Sequence, residues 1–76
     1  MINQWMYETE IVRVKDVYGV SMWVSKRHFD NPENTMLPIC NGKGLRRTYT
    51  QAGQDNQNML HRGNIAEVLQ TRQVPL

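Results

Sequence analysis

The segment from Glu8 to Phe29 constrains the fold of this chain most strongly, because two β-prone runs flank a tetrad suited to a tight turn. The tetrad is Asp-Val-Tyr-Gly, with Asp16 at its first position and Gly19 at its fourth. A type I turn favours both residues there, since the Asp carboxylate can accept backbone hydrogen bonds and Gly relieves crowding. The segment therefore predicts a β-hairpin that nucleates a small sheet.

Side-chain alternation assigns one face of this hairpin to the core. Successive residues of a strand point to opposite faces, so one set of apolar residues shares a side of the ribbon. That set is Val12, Val14, Val20, Met22 and Val24. Trp23 lies on the other face, between Ser21 and Ser25. Two interpretations of Trp23 stay open: its indole is exposed for binding, or a second layer of the fold covers it.

The middle of the chain predicts a second hairpin. Asn41-Gly42 separates the strand-like runs 36–40 and 43–51, and both turn residues tolerate the positive φ of a type I′ turn. Pro38 cannot donate a ladder hydrogen bond, so we expect the first arm at a sheet edge or in an irregular strand. Asn31-Pro32 predicts a turn before this hairpin.

Residues 59–69 admit two interpretations. Ile65, Val68 and Leu69 have helical spacing, and Asn64 with Glu67 is similar to a capping box. The same residues also resemble the end of SH3-type barrels, where a strand, a helical turn and a closing strand complete the sheet. This generic likeness implies a fold and no activity. We expect one helical turn or a short helix near Asn64 and a frayed tail over residues 71–76.

Together these patterns predict a mainly β (β or α+β) fold. We expect either a small SH3-like barrel or a curled antiparallel sheet, built from two hairpins with a short C-terminal helical element. The 76 residues are too few for more than one domain, so we expect a single domain over 1–76 with its core in residues 7–70. A chain of this length buries a thin core, and contacts with a partner would add stability.

Composition narrows the functional classes. Cys40 is the single cysteine, so no disulfide can form within the chain. We expect a cytoplasmic location, with no signal peptide and no membrane association, because no run of apolar residues is long enough for either. The net charge is +2, and residues 34–76 carry five bases against two acids. This modest excess of bases is compatible with nucleic acid or an acidic protein surface.

The sequence predicts neither catalysis nor a bound cofactor or metal. His28, His61 and Cys40 lack the spacing of metal ligands, and no acid pair suggests general acid–base work. Cys40 just before a tight turn is more typical of a small buried side chain than of a nucleophile. Asn41-Gly42-Lys43-Gly44 lacks the remainder of a phosphate-binding loop. We therefore expect a protein that is not an enzyme.

Binding is the function that the composition favours. Aromatic, Met and Arg residues are enriched at protein interfaces, and this short chain is rich in them. We expect a small accessory or regulatory protein, an inhibitor or adaptor, that binds a larger protein partner alone or as a homodimer. The alternative is a small β-barrel that binds RNA or single-stranded DNA. The candidate contact residues in both cases are Trp5, Trp23, Lys26, Arg27, Arg46, Arg47 and Tyr49.

Overall fold

The computed structural model, which describes residues 5–47 and 59–75, contains seven strands in that part of the chain. They are β1 (Trp5–Tyr7), β2 (Glu10–Asp16), β3 (Ser21–Ser25), β4 (Met36–Cys40), β5 (Leu45–Arg47), β6 (Met59–His61) and β7 (Ile65–Gln73). A one-turn helix, α1 (Lys26–Phe29), follows β3, and a 3₁₀ turn (Arg62–Asn64) links β6 to β7. The predicted mainly β class is confirmed, with a helical element near the C-terminus that is only a short turn.

The strands form two antiparallel sheets. A five-stranded sheet has the order β6-β4-β3-β2-β7, and a separate two-stranded sheet pairs β1 with β5. The sheets do not close, so the SH3-like barrel is not confirmed. Within the described ranges, no helix is long and apolar enough to cross a membrane.

One face of the five-stranded sheet carries the main core. Its buried residues are Val12, Val14, Val24, Leu37 and Leu60, with Met22, Phe29, Ile39 and Ile65 packed against them. The assignment of the valine-rich hairpin face to the interior is therefore confirmed at Val12, Val14 and Val24. It is wrong for Val20, which is 54% exposed because it precedes the first residue of β3.

The first hairpin turn has the predicted construction. The Gly19 amide donates to the Asp16 carbonyl over 3.0 Å, which closes a four-residue turn. The Asp16 carboxylate accepts from the Tyr18 and Val20 amides at 2.9 and 2.8 Å. Gly19 has φ +86°, a conformation that residues with a Cβ rarely adopt.

The second turn repeats this construction, so the predicted type I′ turn is wrong. The Gly44 amide donates to the Asn41 carbonyl, and the Asn41 side-chain oxygen accepts from the Lys43 and Leu45 amides. Positive φ occurs at Gly44 (+81°) rather than at the Asn-Gly pair. The two flanking strands also separate: β4 pairs with β3 and β6, whereas β5 pairs with β1. Residues 48–51 of the predicted second arm lie outside the described ranges.

Three local predictions are corrected by the strand boundaries. Residues 26–29, expected at the end of the hairpin, form α1 instead. Pro38 lies in a strand with neighbours on both sides, yet its ladder pairing is with Met59 alone, because the β3–β4 ladder ends at Ile39. The tail expected to fray continues as β7 to Gln73, and the buried Val74 donates its amide to the Thr9 carbonyl over 2.7 Å.

The 59–69 segment follows the strand, helical turn and strand interpretation, and the helical interpretation is wrong. Arg62 explains why the chain turns there. Its Nε donates to the Asn34 carbonyl, and its Nη2 lies 2.9–3.0 Å from the carbonyl oxygens of His28, Phe29 and Asn31. The same guanidinium lies 5.4 Å from the centre of the Phe29 ring. One side chain thus satisfies the carbonyl groups at the end of α1 and in the following loop.

The two positive-φ glycines give a matched stability prediction. A Cβ added to Gly44 would overlap the Glu8 carbonyl oxygen, whereas one added to Gly19 would meet nothing within 4 Å. We expect Gly19→Ala to lower the free energy of unfolding by about 1 kcal/mol, from backbone strain alone. Gly44→Ala adds a steric clash, and we expect a loss of about 3 kcal/mol. Urea denaturation followed by tryptophan fluorescence measures both, and equal losses would contradict the close approach at Gly44.

Candidate functional site

A buried carboxylate organises the junction of the two sheets. Glu8 follows β1 and is 3% exposed. Its Oε2 accepts from Arg46 Nε at 2.6 Å and Arg27 Nη2 at 3.1 Å, and its Oε1 accepts from Arg27 Nε at 2.9 Å and Ser25 Oγ at 3.0 Å. We refer to Glu8, Ser25, Arg27 and Arg46 as the Glu8 cluster.

Local structure brings these residues together from distant parts of the chain. Met6 pairs with Arg46 in the β1–β5 ladder, which sets Arg46 near the end of β1. The Glu8 amide donates to the Gly44 carbonyl over 2.7 Å and fixes the backbone next to the carboxylate. Ser25 is the last residue of β3 and Arg27 is the second residue of α1, and both side chains donate hydrogen bonds to Glu8.

Hydrogen bonding decides the ionisation of Glu8. Burial alone would raise the pKa of the carboxyl group, but hydrogen bonds from Arg27, Arg46 and Ser25 outweigh it and lower the pKa to about 2. Glu8 is therefore a carboxylate at neutral pH and cannot serve as a general acid. With two guanidinium groups around one carboxylate, the cluster carries a net charge of +1.

Ser25 and His28 extend the cluster without forming a nucleophile. Ser25 Oγ lies 2.9 Å from His28 Nδ1 and donates its only proton to Glu8. His28 Nδ1 must therefore donate to Ser25. Burial, together with the charges of Arg27 and Arg46, lowers the pKa of His28, which favours the neutral ring. An activated serine needs the opposite arrangement, in which the hydroxyl proton points to the imidazole.

Cys40 belongs to a second, smaller apolar cluster with Ile11 and Val74, against which Trp23 packs. The thiol is buried. Burial and the Glu8 carboxylate raise the pKa of Cys40 to about 12, against a smaller opposing effect of Arg46. The interpretation of Cys40 as a small buried side chain is consistent with this position.

The structure separates the predicted contact residues. Arg46, one of the candidate contact residues, is 5% exposed inside the Glu8 cluster, which contradicts its place on an exposed contact surface. Arg27 reaches the same carboxylate from the surface and stays 58% exposed. Lys26 pairs with Asp30 at 2.5 Å. These three cations thus engage acids of the chain itself.

The aromatic contact residues are also divided. Trp23 is half-buried, so a second layer covers part of it, and its indole lies beside Gly42. Trp5 and Arg47 are direct partners in the β1–β5 ladder. Tyr49 lies outside the described residues. Binding roles for Trp5, Trp23, Lys26, Arg27 and Arg47 stay predictions.

Two surfaces were missed by the sequence analysis. The first, which we call the tip patch, consists of exposed apolar residues at the hairpin turn and on β7: Val17, Tyr18, Val20, Val68 and Leu69. Both groups lie towards the same end of the sheet, because the Val17 amide donates to the Asn64 carbonyl and Val14 pairs with Val68. The hairpin was predicted, but nothing in the spacing indicated that β7 would pair with β2.

The second surface, which we call the cationic groove, has a volume of about 410 Å³. It is lined by Tyr7, Lys43, Arg72, Val74 and Pro75. Its residues come from β1, the second turn and the end of β7, which are far apart in sequence. The repeated Asx-x-x-Gly pattern at Asp16 and Asn41 was the one available signal, since it fixes the turn that carries Lys43.

The Glu8 cluster makes stability depend on pH in the acid range. The folded state holds the pKa of Glu8 at about 2 against a usual 4.5, so between these values the unfolded state binds more protons. We expect the free energy of unfolding to fall by about 2 kcal/mol between pH 6 and pH 3, and by roughly 3 kcal/mol once Glu8 is fully protonated. Urea denaturation at each pH measures this loss.

Glu8→Gln should be less stable than the wild type at pH 6 and show a flatter dependence on pH. The exposed Glu33 offers a matched control, and Glu33→Gln should keep both the stability and the slope of the wild type. Parallel pH dependences for wild type and Glu8→Gln would rule out Glu8 as the source of the acid sensitivity.

Burial of Cys40 predicts that its thiol reacts slowly with thiol reagents. With the pKa of Cys40 at about 12, few molecules carry a thiolate at pH 8, and the sulfur is shielded from solvent. We expect the reaction with dithiobis(nitrobenzoate) to be at least about 100-fold slower in the native protein than in concentrated urea. A native rate close to the rate in urea would show that the thiol is accessible.

Neither a metal-type cluster nor a relative points to a function. Across residues 5–47 and 59–75, no three His, Cys, Asp or Glu side chains form a group that could hold a metal ion. Comparison of the chain with known protein families, with curated proteins and with solved structures finds no match.

Proposed function

We propose that this chain is a non-enzymatic accessory or regulatory protein that binds a larger protein partner through β7 and the tip patch. The observation that best supports this proposal is that β7 is an outer strand of the five-stranded sheet, with every residue from Ala66 to Gln73 exposed. In the described part of the chain, β2 is its single strand neighbour. An exposed strand edge is a template for an added strand.

The apolar residues next to this edge supply an anchor. Tyr18 is 84% exposed, Val68 50% and Leu69 40%. Exposed apolar residues grouped towards one end of a sheet, beside polar strand positions, are typical of protein interaction sites. Main-chain hydrogen bonds would supply the pairing, and burial of the tip patch would supply specificity.

The pairing of β7 with β2 suggests where an added strand would lie. The register is regular from Gln70 to Gln73, and it shifts on either side of Val68. A partner strand would pair with the regular part, because an irregular backbone breaks the ladder. A partner chain that continues past Gln70 towards the hairpin turn would then bring apolar side chains to Leu69, Val68 and Tyr18.

The buried thiol of Cys40 fits a reducing compartment, and we propose the cytoplasm as the location. A homodimer through the same edge is the main competing assembly. The size of the purified chain in solution decides between a dimer and a monomer awaiting a different partner.

Capture experiments with matched variants test the proposal. The full chain would be immobilised and exposed to a nuclease-treated native lysate. We expect Val68→Lys and Tyr18→Ser to reduce capture of a stoichiometric partner at least about tenfold, because a buried apolar anchor residue contributes roughly 2 kcal/mol to binding. Met36→Lys, on β4 at 39% exposure, is the control and should keep the partner.

Hydrogen exchange on the complex then tests the mode of binding. Strand addition predicts slower exchange of the β7 amides between Gln70 and Gln73. Equal capture by all three variants, or unchanged exchange in β7, would overturn the proposed surface. A light-scattering mass of two chains would assign the edge to a homodimer instead.

A further inference from the structure

The cationic groove has a fixed floor formed by three segments of backbone. Tyr7 and Lys43 flank the hydrogen bond from the Glu8 amide to the Gly44 carbonyl, 2.7 Å long. Val74 is held by its own hydrogen bond to Thr9, and its Cγ2 lies 3.4 Å from the position of a Cβ on Gly44. The floor of the groove is therefore held by main-chain hydrogen bonds.

Charge in and around the groove is positive. Two of its five lining residues, Lys43 and Arg72, are cations, and none is an acid. The carboxylate of Glu8, adjacent to Tyr7, is already bound by two guanidinium groups. Glu10 precedes Ile11, which pairs with Arg72, so strand alternation turns the Glu10 side chain to the opposite face. The groove is thus complementary to an anion.

The remaining lining is apolar and aromatic. Tyr7 is 57% exposed, which leaves its ring accessible, and Val74 and Pro75 lie beside it. The volume of about 410 Å³ is within the usual range for sites that hold one small organic group. An aromatic ring beside two cations is the combination that proteins use for unpaired bases and their phosphates.

From these observations we infer that the groove binds single-stranded nucleic acid, with a base against the Tyr7 ring and backbone phosphates at Lys43 and Arg72. A strand fits better than a free nucleotide because the two cations come from separate segments, the second turn and the end of β7, and can contact successive phosphates. Stacking and phosphate contacts carry little sequence information, so binding is tolerant of sequence.

Fluorescence anisotropy with labelled ten-nucleotide dT and rU strands tests this inference on the full chain. We expect binding at 50 mM salt that weakens steeply towards 200 mM. The double variant Lys43→Ala/Arg72→Ala should reduce the slope of log K against log salt by about 1.4, since each phosphate contact to a single strand contributes about 0.7. Tyr7→Ala should weaken binding about tenfold, and Tyr7→Phe should retain it because the ring is kept.

Lys15→Ala is the matched control. Lys15 lies near the far end of β2, opposite Glu67, and should leave affinity and salt slope unchanged. Thermal melting of each variant checks that the fold is intact, and Tyr7→Phe keeps the test decisive if Tyr7→Ala unfolds.

Four outcomes would overturn the inference. The first three are the absence of binding at 50 mM salt, an equal loss of affinity in Lys15→Ala and the double variant, and equal affinity for a poly-glutamate peptide of the same charge. Equal affinity for AMP and for the ten-nucleotide strands would also overturn it, in favour of a single free nucleotide. None of these results bears on capture through the tip patch, because the lysate in that experiment is treated with nuclease.

Discussion

Burial of the Glu8 carboxylate is the interaction on which the arrangement of the two sheets depends. Removing a carboxylate from water costs several kcal/mol unless its charge and its oxygen atoms are both satisfied. Arg46 arrives from the two-stranded sheet, and Ser25 and Arg27 arrive from the five-stranded sheet and α1. The buried Glu8 carboxylate is therefore stabilised at the place where the two sheets and α1 meet. The cluster specifies one relative position of the sheets, which a purely apolar contact would define less sharply.

The same junction also determines how the neighbouring residues pack and keeps the Cys40 thiol protonated. The close approach of Gly44 to the Glu8 backbone draws the second turn onto the end of β7, where Val74 joins Ile11 and Cys40 in a small apolar cluster. Exclusion of water there, beside a fixed carboxylate, keeps the Cys40 thiol protonated. Trp23 packs against the same apolar cluster and is partly buried there. Cys40 and Trp23 are thus part of the packing beside one buried charge.

The sequence predicted those features that depend on residues close together in the chain. The turn at Asp16–Gly19 was predictable because Asp and Gly each have a direct role in it, and the core positions Val12, Val14 and Val24 followed from alternation. Even the error at Asn41 has a local cause, since Asn-Gly suits two turn types and the Gly44 position decided between them. Strand pairing over long distances was not predictable. The partner of β7 and the position of Pro38 depend on contacts between segments tens of residues apart.

The Glu8 cluster shows most clearly why a site can escape prediction. A glutamate next to aromatic residues at the start of a chain gives no sign that it will be buried, and Arg46 in a double-basic pair is typical of a solvated surface. The pairing of β1 with β5 brings Glu8 and Arg46 together. Each can then be buried because the other neutralises its charge. An assignment of charged residues to the surface fails wherever two opposite charges are brought together by non-local pairing.

The apolar residues of the tip patch and the cations of the groove lie towards opposite ends of β2, and this separation has a physical basis. The tip patch adjoins Asp16, and the cationic groove adjoins Ile11 through its partner Arg72. Removing apolar surface from water lowers the free energy of the system. Removing a cation from water without pairing it with an anion raises that free energy. Cations within the tip patch would weaken binding of an apolar partner. Within the described ranges, the sheet can therefore offer two different chemistries, with the cations Lys43 and Arg72 at one end and the exposed apolar side chains at the other.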